Sequence, residues 1–312
     1  MHGTTRREFL ARSAAMAGAL TLGPLAGGVA FGQAAQPVVM GIARWKGDSA
    51  DDAIAQLADS LTVKAMDSLG GMKRFVGNGD VVWIKPNIGW DKTPEAAANT
   101  NPDVVKTLVR LCLEAGAKKV KVGDNPCAPA EKSYRSSGIE AAAKAVGAEV
   151  LYLDTNRFRD TAINGERVKT IPIYPEIIEC DLVINVPVLK HHGSTKVSIC
   201  MKNYMGVIND RRVFHQDLPR CIRDLTAYMK PELVVLDAVR ALTAHGPQGG
   251  NLSDVKRFNT IAAGTDIVAM DAFGCELLGH DPSQIGTVAV GHASGLGEID
   301  YRKLNPVEVE VS

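Results

Sequence analysis

Lys190, His191, His192, Lys196, Lys202 and His215 stand within 26 residues of one another, three lysines and three histidines in a single stretch. Imidazole holds a metal or shuttles protons near neutral pH, and a lysine ammonium fixes a carboxylate or phosphate. Together they suit capture of a small anionic molecule coupled to proton transfer or metal ligation. A solvated basic loop is the plain alternative. Against it stands the setting of Lys202-Asn203, between the apolar runs Val197-Ser198-Ile199-Cys200-Met201 and Tyr204-Met205, where an unpaired charge is expensive to bury.

Groups so arranged need elements to aim them. Short apolar runs alternate with helical periodicity along most of the chain, which is the pattern of βαβ units. The expected fold class is therefore α/β, a mostly parallel sheet flanked by helices, with the ligand site at the carboxyl ends of the strands. Residues 38–43, 81–84, 120–122, 149–153, 182–189, 233–236 and 260–263 read as strands. Residues 50–69 and 138–146 read as helices, and Asn101-Pro102-Asp103 reads as the capped start of another that Gly116 ends. Residues 129–135 read as loop, and the region near 156–175 as loop or an inserted hairpin.

Four of the apolar runs end in a charge: Lys85-Pro86-Asn87, Asp124, Lys190 and Asp237. On neighbouring parallel strands these groups converge on one crest. The assignment that follows gives His192, Lys202 and Lys190 the catalytic work, with His192 as acid or base. Lys85, Asn87 and Asn203 join the lysines in holding the anion, and His215 with Asp124 or Asp271 would ligate a metal. Two readings of Asp271 stand side by side: partner of a cation or metal at the crest, or an internal salt bridge or cap. Asp266 reads as the N-cap of the helix that Ile267 starts. His245-Gly246-Pro247, before a glycine-rich stretch, reads as a loop that closes over a ligand, while His280 and His292 read as surface residues.

The 312 residues carry 35 basic and 35 acidic side chains, and 46% are hydrophobic. This balance excludes a disordered tail or a coiled coil. With no basic surplus to displace counterions, no nucleic-acid partner is expected. The six cysteines form no C-x-x-C pair, so there is no intrinsic ferredoxin-type iron–sulfur motif. One or two disulfides are open in an oxidising compartment, their pairing undecided. No phosphate-binding glycine fingerprint follows a strand.

Thr5-Arg6-Arg7-Glu8-Phe9-Leu10, ahead of the Ala/Gly/Leu-rich residues 14–30, looks like a twin-arginine export signal. Small residues at Gly32-Gln33-Ala34 place cleavage after Ala34. The expected organisation is a signal peptide at 1–34 and a single α/β domain at 35–312, periplasmic, with the twin-arginine translocase as partner during export. The apolar stretch is too short and glycine-rich for a stable membrane anchor. Because the route carries folded proteins, it suits a chain loaded with a cofactor before export.

The segments Ile84-Lys85-Pro86-Asn87, Val122-Gly123-Asp124, Asp181-Leu182-Val183-Ile184-Asn185-Val186-Pro187-Val188-Leu189-Lys190 with His192, Lys202-Asn203 with Gly206, Gly264-Thr265-Asp266 and Gly295-Leu296-Gly297 resemble the domain-of-unknown-function family 362. Members of that family often carry appended ferredoxin modules or twin-arginine signals; this chain lacks the ferredoxin cysteines. The order His192, Lys202, His215 is also similar to that of lactate racemase and its relatives. That resemblance implies a catalytic histidine, a lysine linked to a nickel cofactor and a nickel-binding histidine, with Lys85 in place of a substrate-binding arginine. The racemase glycine-rich run before the lysine is absent.

The function expected from these residues is that of an exported, metal- or cofactor-dependent enzyme, racemase- or oxidoreductase-like, acting on a small hydroxy or carboxylic acid. Its metal would be nickel or iron. The alternatives are a periplasmic anion- or metal-binding protein without catalysis, and a redox accessory protein akin to iron–sulfur members of the family.

Overall fold

The computed structural model describes residues 39–47 and 53–312. The twin-arginine segment lies outside the described residues, as do the first residue expected in the opening strand and residues 50–52 of the first helix. The strands are β1 (Met40–Trp45), β2 (Val81–Pro86), β3 (Lys119–Val122), β4 (Glu149–Val150), β5 (Arg159–Ala162), β6 (Thr170–Ile173), β7 (Leu182–Val186), β8 (Val188–His192), β9 (Lys196–Ser198), β10 (Leu233–Leu242), β11 (Val255–Gly264) and β12 (Val307–Val311). The helices that matter for the site are α1 (Ile54–Ser68), α2 (Pro102–Ala115), α3 (Ala130–Ser136), α4 (Ile139–Ala145), α5 (Pro175–Glu179), α6 (Cys200–Asn203), α7 (Leu218–Met229), α8 (Ile267–Leu277) and α9 (Gly286–Ala293).

The main sheet has the order β12-β1-β11-β10-β7-β2-β3-β4, with β8 beside β10 and β9 beside β8. From β10 through β7, β2 and β3 to β4 all pairings are parallel, whereas β11 runs antiparallel to both its neighbours. The fold is therefore α/β with a mostly parallel sheet flanked by helices. Alternation along each strand sends side chains to opposite faces. Trp83, Val183, Val234 and Leu236 enter a core shared with Ile222 and Leu225 of α7 and Met270 and Phe273 of α8. Val82, Ile84, Leu182, Ile184 and Val235 enter another, shared with Leu57 and Leu61 of α1 and Val104 and Leu108 of α2.

Local chemistry sets the element ends. Asn101 Oδ1 accepts from Asp103 N at 2.9 Å, Pro102 opens α2, and Gly116 closes it at φ 110°. Asp266 caps α8 by accepting from Ala269 N. The region near 156–175 contains an antiparallel hairpin, β5 with β6. Three expectations need correction. Residues 129–135 are mostly the helix α3 rather than loop. The expected strand at 149–153 pairs only over Glu149–Val150. The run 182–189 is two strands broken at Pro187, which has no N–H to give a ladder.

Candidate functional site

The break at Pro187 opens the sheet. β2 pairs with β7 up to Pro86 and Val186, and beyond that point β8 follows β10 and β9 instead. A small, partly open cleft of about 80 Å³ lies at this carboxyl edge, lined by Asn87, Asp124, Lys190, His192, Lys202 and Arg211 among others.

Lys85 lies beneath the cleft, buried under its lining residues Asp124 and Asn203. Its ammonium, fully buried, sits 2.7 Å from Asp124 Oδ1 and donates to Pro86 O at 2.7 Å and Asn203 Oδ1 at 3.0 Å. An ammonium has three donors, and all three are taken. Burial pulls Lys85 below the usual lysine range, with Asp124 pulling back. Asp124 Oδ2 accepts from Ile88 N at 2.7 Å, so the pair is tied to the loop after β2. Gly206 packs so closely that a β-carbon there would stand 1.8 Å from Asp124 Oδ1.

Lys190 reaches across the gap from β8 and donates to Asn87 Oδ1 at 2.7 Å and Ala98 O at 2.6 Å. Burial, reinforced by the charge of Lys202, pushes it down to about 7. Asn87 Nδ2 in turn donates to Asn203 Oδ1 at 3.1 Å, which ties β2 and α6 together. Half-buried Lys202 has the Met205 sulfur, 3.8 Å away, as its hydrogen-bond partner; burial pushes it down to about 8. Half-buried His192 accepts from Ser194 N through Nδ1, so its proton resides on Nε2. Burial, and then the charges of Lys202 and Lys190, push it down to about 3, leaving a neutral imidazole at neutral pH.

The residues expected to hold a metal are not brought together. His215 is exposed, its Nδ1 is 3.0 Å from Arg211 O, and it does not line the cleft. Asp271 is buried in α8, and its two oxygens accept from Cys200 N and Met201 N, capping α6. Of its two readings, the geometry is that of the internal cap. Among the described residues, no group of three or more His, Cys, Asp or Glu side chains is placed to hold a metal ion. The nickel site implied by the racemase resemblance therefore has only His192 and Lys202 at the cleft. Asp237 also needs correction: β10 runs on to Leu242, so Asp237 lies mid-strand, buried, accepting from Asn101 N and Val239 N.

Several cleft residues went unrecognised in the sequence. Arg211 donates to Met205 O, Pro126 O, Asn125 O and the Cys127 sulfur, stitching the loop after β3 to the segment after α6. Nothing in the run Asn209-Asp210-Arg211-Arg212 sets it apart from Arg212, which is exposed. Cys127 stands three residues past Asp124, and that position beyond a strand end was the available signal. It is exposed, and none of the six cysteines is in a disulfide. The 245–250 loop meets β8 through Gly246 N donating to His191 Nδ1 at 3.1 Å, and Pro247 lines the cleft.

Fold and site together define an α/β protein with a cationic cleft at the carboxyl edge of its parallel strands. Within that class the chain belongs to the family described as Domain of unknown function (DUF362), which matches residues 82–276, the span that holds every cleft residue named above. It is also similar to a thylakoid-associated protein of Synechocystis sp., 26% identical over 260 residues, with 79% of each chain covered. No helix among the described residues is long and apolar enough to cross a membrane.

Proposed function

We propose that the protein is an exported enzyme that binds a small organic anion, a hydroxy or carboxylic acid, in this cleft and acts on it through lysine and histidine chemistry. One observation carries the reading: Lys190, Lys202 and Arg211 line the cleft over Lys85, while the one carboxylate among the lining residues, Asp124, is already paired with Lys85. An anionic ligand supplies the missing counter-charge, and its attraction is strengthened by burial. In this reading Lys190 holds the anion with the N–H that Asn87 and Ala98 leave over. Neutral His192 offers Nε2–H to an oxygen of the ligand, the part of a hydrogen-bond donor rather than a general base.

Calorimetry with acetate, lactate and pyruvate tests this. A small carboxylate is expected to bind, and Lys190→Met to weaken it about tenfold or more, the worth of one charge-assisted hydrogen bond. Absence of binding by all three anions would sink the reading. Export is supported by Arg6-Arg7 and the glycine-rich apolar stretch that follows. Replacing both arginines by lysine is expected to retain the protein in the cytoplasm, measured by cell fractionation, and an unchanged distribution would remove this part. Metal analysis of the exported protein tests the cofactor dependence separately.

A further inference from the structure

The two cleft-lining lysines and the buried Lys85 beneath them differ in what their ammonium groups have left to give. Lys85 spends all three donors on Asp124, Pro86 and Asn203. Lys190 spends two, on Asn87 and Ala98, and keeps one. Among the described residues Lys202 has no oxygen acceptor, only the Met205 thioether at 3.8 Å, and no carboxylate within ion-pair reach. Arg211, its cationic neighbour, spends four of five N–H groups on backbone oxygens and the Cys127 sulfur. The cleft thus holds two cations each with one donor free to grip a carboxylate, beside an amine held only by a thioether.

From this division of donors we infer that Lys202 is a nucleophile that forms an imine with the carbonyl of a 2-oxo acid, whose carboxylate rests on the spare N–H groups of Lys190 and Arg211. The inference rests on the proposed anion site and names its substrate class. An amine without a counter-ion, half-buried beside other cations, loses its proton more readily than a surface lysine, and the neutral amine attacks carbonyls. Burial pushing Lys202 down to about 8 agrees with this placement.

The step balances without an oxidant or reductant. The Lys202 Nζ lone pair forms a C–N bond to the carbonyl carbon, and the carbonyl oxygen becomes the hydroxyl of a carbinolamine. The C–O bond then breaks and the oxygen leaves as water, carrying two of the three protons of the starting ammonium. The product is a protonated imine. Nε2–H of His192 is the cleft donor available to the carbonyl oxygen during attack.

The full-length protein is incubated with pyruvate and cyanoborohydride, with lactate as the carbonyl-free control, and analysed by intact mass and peptide mapping. One reduced pyruvyl adduct on Lys202 is expected, none with lactate, and none in Lys202→Met or Lys202→Arg, each checked for fold by its thermal midpoint. The trapping rate is expected to rise with pH through about 8. Adduct spread over surface lysines, or centred on Lys190, overturns the inference. Pyruvate binding by calorimetry without any adduct overturns the imine and leaves the anion site standing, whereas absence of both overturns the two together.

Discussion

Lys85 shows how little slack the site has at the level of single residues. Its ammonium meets one carboxylate, one backbone carbonyl and one amide oxygen drawn from β2, the loop after β3 and α6, and no solvent reaches it. Removing one partner of a buried ion pair costs about 3–5 kcal/mol, because the other charge is left uncompensated. Gly206 guards this pair by having no side chain: a β-carbon would fall 1.8 Å from Asp124 Oδ1 and 2.7 Å from Lys85 Nζ. Gly206→Ala is therefore expected to force the pair apart, lower stability by a few kcal/mol, on the order of that same penalty, and abolish carboxylate binding. Urea unfolding and calorimetry check both. A variant with the parent's unfolding midpoint and affinity would show that the approach is looser than drawn.

At the level of elements, two short pieces do the positioning: β8, set off by Pro187, and the four-residue α6. Neither could stand alone, since a single helical turn is costly to nucleate. Asp271 holds α6 from the neighbouring helix α8, its oxygens accepting from Cys200 N at 2.5 Å and Met201 N at 3.1 Å. Asp271→Ala leaves those two buried N–H groups without acceptors, and the expected cost is about 2–4 kcal/mol. Because α6 carries Lys202 and Asn203, the same variant is expected to weaken anion binding, seen by calorimetry beside the thermal midpoint. A loss of stability with affinity intact would confine Asp271 to the fold. Lys190, read as a strand end, lies in the middle of β8. The sequence showed Lys85 and Asp124 at or just past strand ends because burial leaves an apolar run up to the last residue. It hid the break at Pro187, since an apolar run reads the same on either side of a proline, and it hid the cap role of Asp271, since that partner lies 70 residues away across the core. Asp237 misled for the opposite reason, a charge inside a strand that satisfies itself on Asn101 and Val239 backbone N–H groups.

For the molecule as a whole, the α/β class was legible from alternating periodicities, whereas the antiparallel β11 was not, because a buried strand looks alike in either direction. The buried charges give the whole protein a pH dependence whose sign follows from proton counts. Asp237 and Asp271 are pushed up to about 6 by burial, so between the unfolded carboxylate value and pH 6 the native state binds more protons and stability falls as pH rises. Lys190 and Lys202 are pushed down to about 7 and about 8, and Lys85 is pushed down as well. From pH 7 toward the unfolded lysine value of about 10.4 the unfolded chain binds more protons, so stability rises with pH. The free protein is expected to be least stable near neutrality and to gain in thermal midpoint on going to mildly alkaline buffer. A bound carboxylate keeps Lys190 charged in the native state and brings its proton count back toward that of the unfolded chain. With saturating lactate, which carries no carbonyl, the alkaline rise is therefore expected to flatten, the ligand stabilising most near neutral pH and least at high pH. Thermal melts across the alkaline range with and without ligand decide the matter: parallel curves would mean that the anion sits away from the lysines, and a midpoint that falls with pH would mean that the lysines are not buried as cations.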